Sequence, residues 1–167
     1  MEHRSRFLLL ILGMFLSLTV RSETIALGQQ LEDFSLPSIN GFAKNLTEQR
    51  GMPVMLIWVD DCDRCDNALK EYEKLAQRYR NKGLISWVIW TPDGKDDAEA
   101  PSVSVPVLKY SPRLPNAWQI QPQPAVMLVD RNGTLDYIFV GNLRKNLEFT
   151  NHALAYWLDG DDLVHQR

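Results

Sequence analysis

The stretch WVDDCDRCDNAL, Trp58 to Leu69, holds both cysteines of the chain, Cys62 and Cys65, with two residues between them. Asp60, Asp61, Asp63 and Asp66 surround the pair, and Arg64 is the one cation among them. Two sulfurs at this spacing support three kinds of chemistry. They can close a structural disulfide, hold a soft metal ion such as Cu(I), or cycle between dithiol and disulfide. A bridge over two residues closes a very small loop. On the loop-entropy estimate it gains well under the roughly 3 kcal/mol of a loop of about 15 residues. Reactivity therefore explains the pair better than stability does.

The reactive species in thiol exchange is the thiolate. A cysteine at a helix amino end gains from unpaired backbone N–H groups and the positive end of the helix dipole. The aspartates work the other way. A carboxylate about 7 Å away, at an effective dielectric of about 40 to 80, costs a thiolate roughly 0.6 to 1.2 kcal/mol. Asp61 and Asp63 are thus expected to raise the pKa of the first sulfur, and Arg64 to cancel about one of them. A less stabilised thiolate means a less stabilised dithiol and a lower reduction potential. That favours a reductase or isomerase over an oxidase. A blander role for Asp61 or Asp63 is helix capping, which suits aspartate equally well.

A four-ligand zinc site is disfavoured, because no second cysteine pair and no histidine stands near the motif. Copper handling by Cys62 and Cys65, or a redox-silent binding module, is the alternative function. A peroxidase reading lacks the threonine that peroxiredoxins carry three residues before the reactive cysteine; Val59 stands there. No cofactor and no resident metal are expected.

The surrounding pattern places the motif. MPVMLIWV, Met52 to Val59, is a continuous apolar run and reads as a strand buried on both faces. After the cysteines, Leu69, Tyr72, Leu75, Ala76 and Tyr79 fall at helical spacing, and Gly83 supplies a stop. LISWVIW, Leu84 to Trp90, reads as a second buried strand. This is a β-α-β unit with parallel strands, so the cysteines sit where a strand ends and a helix begins. Residues 91–101 read as loop and Val103–Tyr110 as a short strand. Ala125–Asp130 and Leu135–Val140 read as a hairpin, and about Asn146–Leu158 as a last helix. The DGDD that follows Leu158 is expected to be a solvated tail. Ala26–Leu46 reads as an irregular, β-rich lead-in.

The amino terminus differs in kind. Arg4 and Arg6 precede an apolar run, Phe7 to Val20, of about 14 residues, short of the roughly 20 that span a bilayer. Residues 1–22 are expected to be a secretory signal, or else a retained anchor that tethers the chain to a membrane. Residues 23–167 then form one domain, periplasmic or otherwise exported. The whole chain carries 18 Lys and Arg against 21 Asp and Glu, net −3. Residues 1–22 hold three arginines and one glutamate, so without them the balance is 15 against 20, net −5. A mildly acidic domain without a basic cluster is not a nucleic-acid binder.

Taken together, these pieces resemble the exported thioredoxin-like proteins of the TlpA/ResA kind. LGQQLEDFSLPSINGFAKNL is similar to that group's entry segment. GMPVMLIWV followed by CDRC, with Trp58 four residues before the first cysteine, is similar to its central strand and active-site turn. WQIQPQPAVMLVDRNG resembles its second landmark, and Gly141 matches the glycine after the last strand. The resemblance implies an α/β, thioredoxin-like fold: a central mixed sheet flanked by helices, with an N-terminal β-rich extension. It implies a thiol–disulfide oxidoreductase with Cys62 as exposed nucleophile and Cys65 as resolving thiol. Pro124 would be a cis-proline facing the disulfide, and Gln123 would offer backbone hydrogen bonds to a substrate strand. Trp58 is a candidate for the same groove, against the plainer reading of a core tryptophan. Protein disulfides would be the substrates and a membrane thiol–electron carrier the donor. Several positions differ from the family pattern. Asp61 replaces an aromatic residue and Asp63-Arg64 replaces Gly-Pro. Ala68 replaces an acid, Lys70 a helix proline, and Gln123 a Thr or Val. Thr91–Ser104 is short for a second crossover helix.

Overall fold

Seven strands and two helices make up the described fold. In chain order they are β1 (Ser35–Leu36), β2 (Lys44–Asn45), β3 (Val54–Val59), α1 (Cys65–Tyr79), β4 (Ile85–Trp90), β5 (Val107–Lys109), β6 (Ala125–Val129), β7 (Leu135–Val140) and α2 (Leu143–Val164). The computed structural model describes residues 25–60, 65–92, 99–110 and 124–164, with side chains as far as residue 159.

Five strands form one mixed sheet in the order β5-β4-β3-β6-β7. β3, β4 and β5 run parallel, while β6 runs against β3 and β7 against β6. The strand β3 lies at the centre, and all six of its residues are buried. That is why its sequence shows no polar alternation: both faces are covered. Met55, Ile57 and Val59 pack with Val88, Trp90, Val126 and Leu128 under the two helices. Val54, Leu56 and Trp58 pack with Trp87, Ile89 and Met127 on the other face.

The N-terminal segment helps to cover that second face. Leu31, Phe34, Leu36 and Leu46 are buried against it, with the Phe34 ring edge-on to Trp87 at 6.2 Å. Among the described residues its strands β1 and β2 pair only with each other. Single bridges, Gln30 to Thr134 and Ser38 to Leu108, tie the segment to both ends of the sheet. The expected β-rich lead-in is therefore a wrap over the sheet.

The helix α1 buries Cys65, Ala68, Leu69, Tyr72, Leu75, Ala76 and Tyr79, one stripe at 3.6-residue spacing. A 3-10 turn, Arg80–Lys82, follows, and Gly83 caps it at φ 87°, a left-handed conformation that glycine adopts without strain. Among the described residues between β4 and β5, 91–92 and 99–106, no helix occurs. Ala100, Val103 and Val105 instead lay extended chain against the α1 side of the core. The Ser104 amide and hydroxyl both donate to Glu73 Oε1 on α1.

Three boundaries differ from expectation by more than two residues. The strand expected over Val103–Tyr110 narrows to Val107–Lys109, because β5 meets β4 only from Val88 to Trp90. The last helix begins at Leu143 rather than Asn146. It also runs to Val164, so the DGDD expected as a tail is helical. Tertiary anchoring carries the helix past Leu158. Lys82 pairs with Asp159 and reaches the Leu158 carbonyl at 3.4 Å.

Candidate functional site

The centre of the site is the passage from β3 to α1. Cys65 is the first residue of α1 and is 6% exposed. It is disulfide-bonded, and the sequence contains one other cysteine, Cys62. Cys62, Asp61, Asp63, Arg64 and Gln123 lie outside the described residues. The buried Ala68 and Leu69 follow Cys65 on the same helix face, so its sulfur faces the core side. Asp66, in the first turn, is exposed and complements the helix dipole.

Strand β6 brings in the second half. Trp58 pairs with Ala125 across the β3–β6 ladder. Continuing that register by one residue sets Pro124 level with Val59, at the strand end that leads to the cysteines. Pro124 is partly exposed. Its carbonyl accepts the Gly141 amide at 2.7 Å. Gly141 has φ 91°, which a side chain would strain, so the glycine after β7 is what lets the chain turn back onto Pro124.

Trp58 needs a correction. It is 0% exposed and packs edge-on to Tyr110 with ring centroids 6.2 Å apart. A ring sealed in the core lies beneath the site and cannot line a substrate groove. The strand's even positions all point to the inner, wrapped face, and Trp58 shares that parity.

One contributor is not evident from the sequence. Thr91, just past β4, donates to the Val59 carbonyl through its amide at 2.8 Å and its hydroxyl at 3.0 Å. It thereby clamps the end of β3 two residues before Asp61. Only the register of β3 against β4 reveals it.

Farther into α1, Tyr72 is fully buried. Its hydroxyl donates to the Leu143 carbonyl at 3.1 Å and lies 3.4 Å from Thr150 Oγ1. Burial pushes its pKa from the ordinary 10.0 up to about 12, against a smaller opposing effect from Thr150. The group is a brace between the start of α2 and the site helix.

A solved structure of a candidate thiol:disulfide interchange protein DsbE from Chlorobium tepidum matches this arrangement. The TM-score is 0.69 at 22% identity, over 81% of this chain and 99% of that one. The chain has a thioredoxin-like fold. Among curated relatives of this thioredoxin-like chain, the thioredoxin-like protein YneN of Bacillus subtilis is 26% identical over 125 residues, 71% of this chain and 74% of that protein. The thiol-disulfide oxidoreductase ResA of Geobacillus kaustophilus is 26% identical over 127 residues, 72% of this chain and 73% of that one. No protein-family model matches the chain.

Proposed function

We propose that this thioredoxin-like chain is an exported thiol–disulfide oxidoreductase that acts as a reductase or isomerase on protein disulfides. The observation that carries the reading is the disulfide-bonded Cys65, buried at the amino end of α1, where β3 ends beside Pro124. Relatives that carry the name thiol-disulfide oxidoreductase support it.

The chemistry balances within the pair. The Cys62 thiolate attacks one sulfur of a substrate disulfide, which breaks that bond, forms a mixed disulfide and releases one substrate thiolate. Cys65, as thiolate, then attacks Cys62 and releases the second. The substrate gains two electrons and the protein returns to its disulfide form. A dithiol donor must reduce it again, and a membrane thiol–electron carrier fits an exported chain. In this reading Pro124 faces the disulfide and Gln123 offers backbone hydrogen bonds to a substrate strand. Asp61 and Asp63 hold the Cys62 thiolate less stable than it would be in neutral surroundings, and Arg64 offsets part of this. Residues 1–22 serve as the export signal or membrane tether and residues 23–167 as the working domain.

Insulin reduction with a dithiol donor tests the reading. Activity is expected in the native chain and lost in Cys62→Ser. Cys65→Ala is expected to accumulate mixed disulfides with substrates. A copper-handling module gives no turnover in either form. A reduction potential above about −150 mV would overturn the reductase direction.

A further inference from the structure

The two edges of the five-stranded sheet differ in sequence and in cover. At one edge, β5 is three residues long and ends on the exposed Lys109. The N-terminal wrap also closes it. The Ile39 amide donates to the Val107 carbonyl and the Lys109 amide to the Pro37 carbonyl, each at 2.9 Å. Short length, a lysine and a covering segment are the usual protection of an edge strand. At the other edge, β7 is six residues long, LDYIFV, with no lysine and no proline. Among the described residues the wrap reaches it only at Thr134 and Leu135. The Gly141 amide bonds to Pro124 on the β6 side, so alternation turns the amides and carbonyls of Ile138 and Val140 outward.

Beside this open edge lies an aromatic surface. Tyr137 and Phe139 stand on the helix face of β7, their rings 6.0 Å apart. Phe149 on α2 continues the row, 6.3 Å from Phe139, and a cavity of about 450 Å³ opens between these rings and Tyr156. Phe149 is 62% exposed and Tyr156 76%. On α2, Lys145, Phe149, His152, Tyr156 and Asp159 are all exposed. They follow at alternating steps of four and three, which draws one seam along a helix. The seam is basic at one end and acidic at the other, and His152 is its midpoint. Charges placed in this way complement an antiparallel copy of the same seam.

The strand and the helix share that centre. Phe139 is level with Phe149, and Tyr137 with Trp157, 5.7 Å away. Ile138, between Tyr137 and Phe139, therefore sits level with the middle of the seam.

We propose that this face joins two copies of the chain about a two-fold axis passing Ile138 and His152. The two β7 strands pair antiparallel, and Ile138 exchanges both backbone hydrogen bonds with its own counterpart. Tyr137 then stands across from Phe139 of the second copy, an aromatic cross-strand pair of the kind that stabilises sheets. Asp136, the one charge on β7, comes beside Val140 of the second copy rather than beside another Asp136. Phe149 and Tyr156 of both helices cover these rings. Lys145 faces Asp159 of the second copy, which already pairs with Lys82 of its own chain. The cysteines follow β3, two strands in from this edge, so the proposal does not depend on the redox reading.

Sedimentation of the full chain over a range of concentrations tests it, with amide hydrogen exchange as the local readout. A dimer is expected. Exchange at Ile138 should slow as the dimer fills, while Tyr137 and Phe139, whose amides face β6, stay unchanged. Phe149→Lys and Tyr156→Lys should each weaken the dimer by at least about tenfold, since each change enters the interface twice. Both side chains are exposed, so the melting temperature of the dilute, monomeric chain should not move. Lys145→Glu should weaken the dimer several-fold. A chain that stays monomeric at millimolar concentration would overturn the proposal. So would a dimer indifferent to Phe149→Lys and Tyr156→Lys, or one in which Ile138 exchange does not depend on concentration; association through residues 1–22 gives both of those results.

Discussion

The Val59 carbonyl accepts two hydrogen bonds from Thr91, 2.8 Å from its amide and 3.0 Å from its hydroxyl. These two hydrogen bonds to one acceptor fix the end of the central strand, where the chain leaves for the cysteines. Thr91→Val keeps the side-chain shape and removes the hydroxyl bond. The expected loss is about 1 kcal/mol, seen as a lower urea midpoint with an unchanged slope. Insulin reduction should also slow, because the strand end sets where the cysteine turn begins.

Tyr72→Phe removes the hydroxyl that joins α1 to the Leu143 carbonyl. A loss of about 1 to 2 kcal/mol is expected, since the carbonyl keeps a buried lone pair without its donor. Chemical denaturation near neutral pH measures it.

The same residue predicts an alkaline limb. Burial raises the folded-state pKa of Tyr72 from 10.0 to about 12. The unfolded chain then loses its proton first, so stability is fully present below about pH 10 and falls as pH rises towards 12. A plot of unfolding free energy against pH should be flatter over that window in Tyr72→Phe than in the native chain.

Asp33 predicts an acid limb. Burial pushes its carboxyl up, but hydrogen bonds from Thr47, Asn45 and the Phe34 amide together hold it below the usual carboxylate range. A depressed folded-state pKa contributes stability that is present above the unfolded value and is lost as pH falls through the folded one. The N-terminal wrap should therefore loosen below about pH 4. Amide exchange at Thr47, whose N–H donates to Asp33 at 2.8 Å, should accelerate there, and Asp33→Asn should reduce the pH dependence.

Gly141→Ala tests the contact behind Pro124. At φ 91° an alanine costs about 1 to 2 kcal/mol. The strain falls on the bond from the Gly141 amide to the Pro124 carbonyl. Both thermal stability and the rate of insulin reduction are expected to drop.

Much of the frame was legible because it depends on local physics. The apolar runs around Leu56 and Val88 announced strands covered on two faces. The spacing from Leu69 to Tyr79 announced the helix between them. The turn at Asp130–Gly133 was also readable, and the structure shows why. Asp130 Oδ1 accepts the amides of Asn132 at 2.9 Å and Thr134 at 2.7 Å. The end of the last helix was not readable, because an anchor from Lys82, far away in sequence, carries it beyond Leu158.

The sequence by itself determined that two cysteines stand where a buried strand gives way to an amphipathic helix. Periodicity and turn chemistry act within a few residues, and that is enough to place them. Only the tertiary structure decided that Trp58 is sealed under the site and that Thr91 clamps Val59. Each of those depends on the register between segments distant in the chain, and burial belongs to a residue's neighbours rather than to its type.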